Sequence, residues 1–238
     1  MQTPNRQTTT STCESCKLKE SGFLCHLSAL AAKEFQSIKS SSLYPAGSRL
    51  FLENEPARGI FLLCSGKVKL SVSSKGGKTL ILQLARPGEI IGLSAAMSGI
   101  PYEVSAEALY PSQVSFISRQ DFLSFVNRFP EVYQAVIRQL NSQYAQACEQ
   151  LRTVGLSSNA NEKIARLFLN WSSDEKQTAA TARIKMPLTH EQIAECVGST
   201  RETVTRTLSQ FKSKHLVMLH GTTAMIPNRA ALLAISGD

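Results

Sequence analysis

The chain carries no H-E-x-x-H motif, no glycine-rich phosphate loop and no paired nucleophile and base among its 238 residues. An enzyme is therefore not expected. Histidine is scarce, and the four present (His26, His190, His215, His220) lack metal-ligand spacing, so all four read as structural or solvated. No apolar run approaches the ~20 residues of a membrane span. The first twelve residues, MQTPNRQTTTST, are polar and Thr-rich, without the apolar stretch of a secretory signal. These absences predict a cytoplasmic protein with no membrane partner, whose six cysteines are not structural disulfides. Acidic residues are also short, 18 against 26 Lys and Arg, giving a net charge of +8 and a pI near 9.3. That balance suits a nucleic-acid partner. The excess is spread along the chain: 16 basic against 11 acidic residues up to residue 158, then 10 against 7.

The most informative stretch is Thr189–Phe211, THEQIAECVGSTRETVTRTLSQF. Thr189 with Gln192 forms a capping-box pattern at a helix start. Ile193 and Val197 then give an apolar face, and Gly198 stands where a helix must end and turn. Ser199 with Glu202 offers a second capping box for a following helix, whose apolar set is Val204, Leu208 and Phe211. Arg201, Glu202, Thr205 and Arg206 fall mainly off that set, near the helix start. In a helix-turn-helix those early residues of the second helix reach base edges. Arginine grips guanine through two hydrogen bonds, and glutamate accepts one from cytosine. Two ordinary packed helices would show the same periodicity. The next residues favour the DNA reading: Leu216–Leu219, a Gly221-Thr-Thr turn and Ala224–Ile226 read as a hairpin, the wing of a winged helix. Four basic residues (Arg201, Arg206, Lys212, Lys214) face one acid, Glu202, in the same stretch.

GSTRETVTRTLSQF resembles the recognition helix of the CRP/FNR transcription regulators, the family of the cyclic-AMP receptor protein and the fumarate-nitrate-reduction regulator. The resemblance extends over nearly the whole chain. It implies that Arg201, Glu202 and Arg206 read a TGA-containing half-site, that Thr205 is a variable reading position, and that Thr200 contacts a phosphate. It also implies RNA polymerase as a partner, with activator and repressor roles both open. With Arg201 present, this helix is closer to the cyclic-AMP branch.

From Leu43 to about Ile117 short β-rich runs alternate with turn signals. The runs are Leu50–Leu52, Gly59–Leu63, Val68–Val72, Thr79–Leu84 and Val114–Ile117. Their regular spacing predicts an antiparallel sandwich or barrel. The resemblance makes it the eight-stranded β-roll of a cyclic-nucleotide-binding domain, with turn glycines Gly47, Gly66, Gly88 and Gly92. A nucleotide-binding version needs a Glu for the ribose and an Arg-Ser pair for the phosphate. This chain has Leu93-Ser-Ala-Ala96 and Glu103-Val-Ser105 in those places. An acid in place of the arginine repels a cyclic phosphate, so no cyclic-AMP binding is expected.

Beyond the roll, apolar positions run Val132, Val136, Leu140, Tyr144, Ala147, Leu151 and Val154, the last five in a 4-3-4-3 heptad pattern. Val136, Leu140, Tyr144, Ala147 and Leu151 are the expected homodimer interface, with 156–160 as a hinge. At the other end, Cys13, Cys16 and Cys25 form C-x2-C-x8-C. Thiolates this close bind metal or iron–sulfur clusters. In the resembling family, oxygen sensors hold a [4Fe–4S] cluster through three such cysteines and one from the roll. Here the second gap is longer and Ser115 occupies the roll position, leaving Cys64, His26, a carboxylate or a small molecule as a fourth ligand. A thiol or disulfide switch, a zinc site and plain reduced thiols remain alternatives.

The expected fold is α+β: an N-terminal antiparallel β-roll, a long dimerisation helix and a C-terminal winged helix-turn-helix. The expected segments are 1–27 (cysteine-containing), 28–130 (sensor roll), 131–158 (dimerisation helix and hinge) and 159–238 (DNA-binding). The expected function is a homodimeric transcription regulator reading palindromic double-stranded DNA under a redox, oxygen or nitric-oxide signal. The alternative is a regulator responsive to a cyclic nucleotide or other ligand, whose cysteines are not ligands.

Overall fold

The computed structural model describes residues 22–23, 27–172, 182–185, 188–220 and 223–237. Helix α1 (Ala29–Ile38) starts at Ser28, whose hydroxyl accepts from the Ala31 amide at 3.2 Å. There follow β1 (Ser40–Tyr44), β2 (Arg49–Phe51), β3 (Gly59–Ser65), β4 (Val68–Ser73), β5 (Thr79–Ala85) and β6 (Ile90–Ile91). A short helix α2 (Leu93–Ser98) precedes β7 (Ser105–Ala108) and β8 (Ser112–Ser118). The eight strands form two four-stranded sheets, ordered β1-β8-β3-β6 and β2-β7-β4-β5. Five of them were legible as β-rich runs. β1, β6 and β7 were not, because SSSLY and SAEA carry few β-branched or aromatic residues and β6 is two residues long. Gly47, Gly66, Gly88 and Gly92 all adopt positive φ at turns.

Two apolar cores fill this unit. Within the roll, Phe51, Phe61, Leu63, Leu70, Ile91, Tyr102 and Val114 pack together. Outside it, Phe23, Leu27 and Phe35 meet Ile60, Leu62, Ile90 and Ile117. To the same core α3 (Arg119–Arg128) contributes Phe122 and Phe125, and α4 (Glu131–Gly155) contributes Val132 and Val136. Burial of that many aromatic rings is the main stabilising term, each fully buried ring contributing about 1.5–3 kcal/mol.

The expected heptad seam needs correction at its start. Val132 and Val136 are buried in the chain's own core, at 0% and 3% exposure, so Val136 does not belong to an interface with a second copy. Leu140 is half-buried against that core. Tyr144 and Leu151 are exposed at 73% and 71%, Ala147 is exposed, and Ile137, unremarked in the sequence, is exposed at 56%. The solvent-facing stripe is therefore Ile137, Tyr144 and Leu151, one residue per heptad. Register shifts along α4 because its first two turns spend their apolar face on the roll core.

Close contacts divide the chain into two compact units, Met1–Val72 with Leu82–Gln146, and Ser73–Ile81 with Ala147–Asp238. In the second, α5 (Ala160–Ser172) buries Ile164, Ala165, Leu167, Phe168 and Leu169. Then come β9 (Ala182–Lys185), α6 (His190–Val197), α7 (Arg201–Ser213), β10 (Met218–His220), β11 (Thr223–Ile226) and α8 (Arg229–Ser236). The expected hairpin is β10–β11, and β9 adds a third strand in the order β10-β11-β9.

Candidate nucleic-acid interface and sensor pocket

The helix pair is built by its caps. Thr189 accepts from the Gln192 amide and Gln192 accepts from the Thr189 amide, a reciprocal capping box at the start of α6. Gly198 ends α6 at φ 62°, a left-handed conformation that a side chain would disfavour by about 1 kcal/mol. The second expected capping box is displaced. The N-cap of α7 is Thr200, not Ser199, and its hydroxyl accepts from the Thr203 amide. Ser199 instead donates its amide to the Ala194 carbonyl, closing the turn.

Ile193, Ala194, Cys196 and Val197 of α6 are buried, as are Val204, Thr207, Leu208 and Phe211 of α7. That packing leaves Thr200, Arg201, Glu202, Thr205 and Arg206 all exposed. Positions 201, 202, 205 and 206 share one helical face. Thr207 donates to the Asn161 side chain at 3.1 Å, tying α7 to α5. The Glu202 carboxyl is held below the ordinary carboxylate range. Its own backbone N–H does most of this, followed by the Thr200 hydroxyl, with Arg201 adding attraction. The Glu202 carboxylate thus stays charged beside Arg201.

One contact escaped the sequence reading. His190, the first residue of α6, lies with Nδ1 2.8 Å from Thr205 Oγ1, and Thr205 Oγ1 donates to the Arg201 carbonyl at 2.9 Å. The partners are fifteen residues apart, on different helices, so no local pattern announces the pair.

In the roll, the stretch where a nucleotide-binding version places its ribose and phosphate contacts makes contacts within the chain. Leu93 is buried and Glu103 accepts from the Ser94 hydroxyl at 2.7 Å. Ser105 accepts from the Glu53 amide at 3.0 Å. Beneath α2, Tyr102 stacks on Phe51 with centroids 3.8 Å apart, and its hydroxyl donates to the Gly59 carbonyl at 2.7 Å. Burial pushes the Tyr102 hydroxyl above its ordinary range, so it remains a neutral donor. A Cβ at Gly92 would come within 2.7 Å of the Tyr102 ring, so only glycine fits there.

A separate cleft of about 220 Å³ lies among Phe23, the Gly88–Glu89 turn and α4 residues Arg138, Gln139 and Gln143. Gln139 accepts from the Ile90 amide and donates to its carbonyl, joining α4 to the roll. Cys64 is half-buried, its Sγ 3.3 Å from Ser115 Oγ. Cys148 is half-buried and Cys196 buried. Cys13, Cys16 and Cys25 lie outside the described residues. Among the described residues, no cluster of metal-ligating side chains occurs and no helix is long and apolar enough to cross a membrane.

The family model for the cyclic nucleotide-binding domain matches residues 42–129, and that for the Crp-like helix-turn-helix domain matches residues 162–235. The chain belongs to the CRP/FNR family of transcription regulators. The winged helix-turn-helix of this CRP/FNR regulator is a DNA-binding domain, and the family's members are regulators, not enzymes. Among curated relatives, the nitrogen fixation regulation protein FixK of Bradyrhizobium diazoefficiens is 25% identical over 228 residues, covering 93% of both chains. The transcriptional activator protein anr of Pseudomonas aeruginosa is 25% identical, covering 94% of this chain and 92% of its own. A CRP-like cAMP-activated global transcriptional regulator of Mycobacterium tuberculosis is also 25% identical, covering 86% and 91%. The structure of FixK2 from Bradyrhizobium japonicum shares the fold, with a TM-score of 0.73 at 22% identity, covering 83% of this chain and 97% of that one.

Proposed function

We propose that this CRP/FNR regulator is a homodimer that reads a palindromic site with TGA-containing half-sites and answers to a redox, oxygen or nitric-oxide signal rather than to cyclic AMP. The observation that carries the DNA reading is the joint exposure of Arg201, Glu202, Thr205 and Arg206 on one face of α7. The two arginines and Glu202 suit guanine and cytosine edges, and Thr200 suits a phosphate. Two recognition helices about 34 Å apart need a dimer, and the exposed stripe Ile137, Tyr144 and Leu151 supplies an apolar face for it. RNA polymerase is the partner that an activating regulator recruits.

The signal is assigned to the N-terminal segment. Cys13, Cys16 and Cys25 have the chemistry to hold a [4Fe–4S] cluster, and Phe23 and Leu27 anchor the chain beside them to the core against which Cys64 packs. The fourth ligand would be Cys64, His26, a carboxylate or a small molecule. A bound cluster would supply a centre that oxygen or nitric oxide alters. Phe23, Gln139 and Ile90 link that segment to α4, so its state would bias the pairing of two α4 helices and the spacing of the recognition helices. Against cyclic AMP stand Glu103, Ser94 and the buried Leu93 where phosphate and ribose contacts belong.

The test is anaerobic purification with iron analysis and an absorbance spectrum, then DNA binding before and after oxygen or nitric oxide. The expected outcome is bound iron, absorbance that bleaches in air, and a change in affinity for a palindromic site alone. A colourless, iron-free protein would remove the cluster, and equal binding to palindromic and random duplexes would remove the DNA reading.

A further inference from the structure

Thr205 sits on the exposed face of α7 with its hydroxyl already engaged. Oγ1 donates to the Arg201 carbonyl at 2.9 Å, one turn back, and lies 2.8 Å from His190 Nδ1. With the imidazole proton on Nδ1, the hydroxyl accepts from His190 and donates to Arg201. With the proton on Nε2, it donates to His190. Either tautomer uses the hydroxyl's one proton inside the protein, so the hydroxyl cannot donate to a base. Threonine in a helix otherwise divides between two χ1 rotamers, because its oxygen has a choice of partners. His190 removes that choice. Beside that hydroxyl, left as an acceptor only, the γ-methyl is the group that meets a base, and the apolar partner of a threonine methyl in the major groove is the C5-methyl of thymine.

We propose that His190 is a specificity-determining residue of the DNA interface: it holds Thr205 in one rotamer, so that the γ-methyl selects a thymine at the base pair Thr205 meets. The inference rests on the reading of α7 as the base-reading helix. It assigns the variable reading position a base through a residue outside that helix.

The test is competition binding of the full chain to a duplex series that varies each half-site position through all four bases. The position Thr205 reads is the one whose preference Thr205→Ala alters. Wild type is expected to prefer thymine there, and His190→Ala to lower that preference roughly fivefold, within the range of a single mismatch. The preference at the position lost in Arg206→Ala is expected to survive, which separates the effect from misfolding. His190→Asn, whose amide nitrogen overlays Nδ1, is expected to restore the thymine preference. Made on Thr205→Val, whose branched side chain has one strongly favoured rotamer, His190→Ala is expected to change nothing further. The inference is overturned if His190→Ala leaves the preference intact, if it weakens all positions equally, if Asn fails to restore it, or if the loss persists on Thr205→Val. If Thr205→Ala alters no position while Arg206→Ala alters one, this inference falls and the reading of α7 stands. If wild type binds random duplex equally well, both fall.

Discussion

Arg206 and Glu202 illustrate how much one side chain decides in this interface. Both are exposed, so neither supports the fold through burial, and substitution acts on DNA binding rather than on stability. Arg206→Ala is expected to cost about 1–3 kcal/mol of binding and to relax preference at one base pair, measured by competition with single-position variants of the site. Glu202 adds a pH dependence with a definite sign. Its carboxyl is held low by its own backbone N–H, by Thr200 and by Arg201. The charged form therefore persists as pH falls. Any support it gives α7 is present above the ordinary glutamate value and is lost only as pH drops through the lowered folded value. Discrimination at the base pair Glu202 reads should be unchanged between about pH 7 and pH 5, where exposed carboxylates begin to protonate. A decline across that interval, followed on one duplex pair at fixed ionic strength, would contradict the assigned partners.

At the scale of elements, α4 divides its labour along its length. Its first turns bury Val132, Ala135 and Val136 in the roll core, while its later turns expose Ile137, Tyr144 and Leu151. A large exposed apolar residue in each of three successive heptads is a seam suited to a second copy. Leu151→Glu is expected to convert a dimer to a monomer in sedimentation or light scattering and to weaken binding to a two-half-site duplex by well over tenfold. Val136→Ala should behave differently. It opens a cavity in the chain's own core, lowering thermal stability by about 1–2 kcal/mol without changing the oligomeric state. The two variants together test where along α4 the intrachain core gives way to the seam.

For the whole molecule, the central question is which half of the family's logic survives. Helix α7 carries the arginine–glutamate–arginine set, and the roll matches the cyclic nucleotide-binding domain with Glu103 and Ser105 in the stretch where a nucleotide-binding version needs an Arg-Ser pair. Glu103 accepts from the Ser94 hydroxyl, and Tyr102 stacks on Phe51. Cyclic AMP at millimolar concentration is expected to leave the thermal midpoint unmoved, since a ligand that binds only the folded state must raise it. A dose-dependent rise would return the pocket to nucleotide binding and favour the alternative in which the cysteines are not ligands.

Much of this was legible in the residues themselves, because local rules govern it. Caps and a glycine turn set the helix pair, and period-2 runs between glycine turns set most of the roll. What escaped was decided at longer range. β1 and β7 are strands because β8 and β4 pair with them, not because SSSLY or SAEA prefer extended backbone. Val136 left the seam because a second apolar surface competed for it and won, and no periodicity states which of two surfaces a helix face will meet. His190 and Thr205 came together only when α6 packed across α7. The sequence by itself determined which polar side chains stand at the start of α7. Tertiary packing alone decided which of them are held still, since a rotamer is fixed by neighbours that the chain brings near only after it has folded.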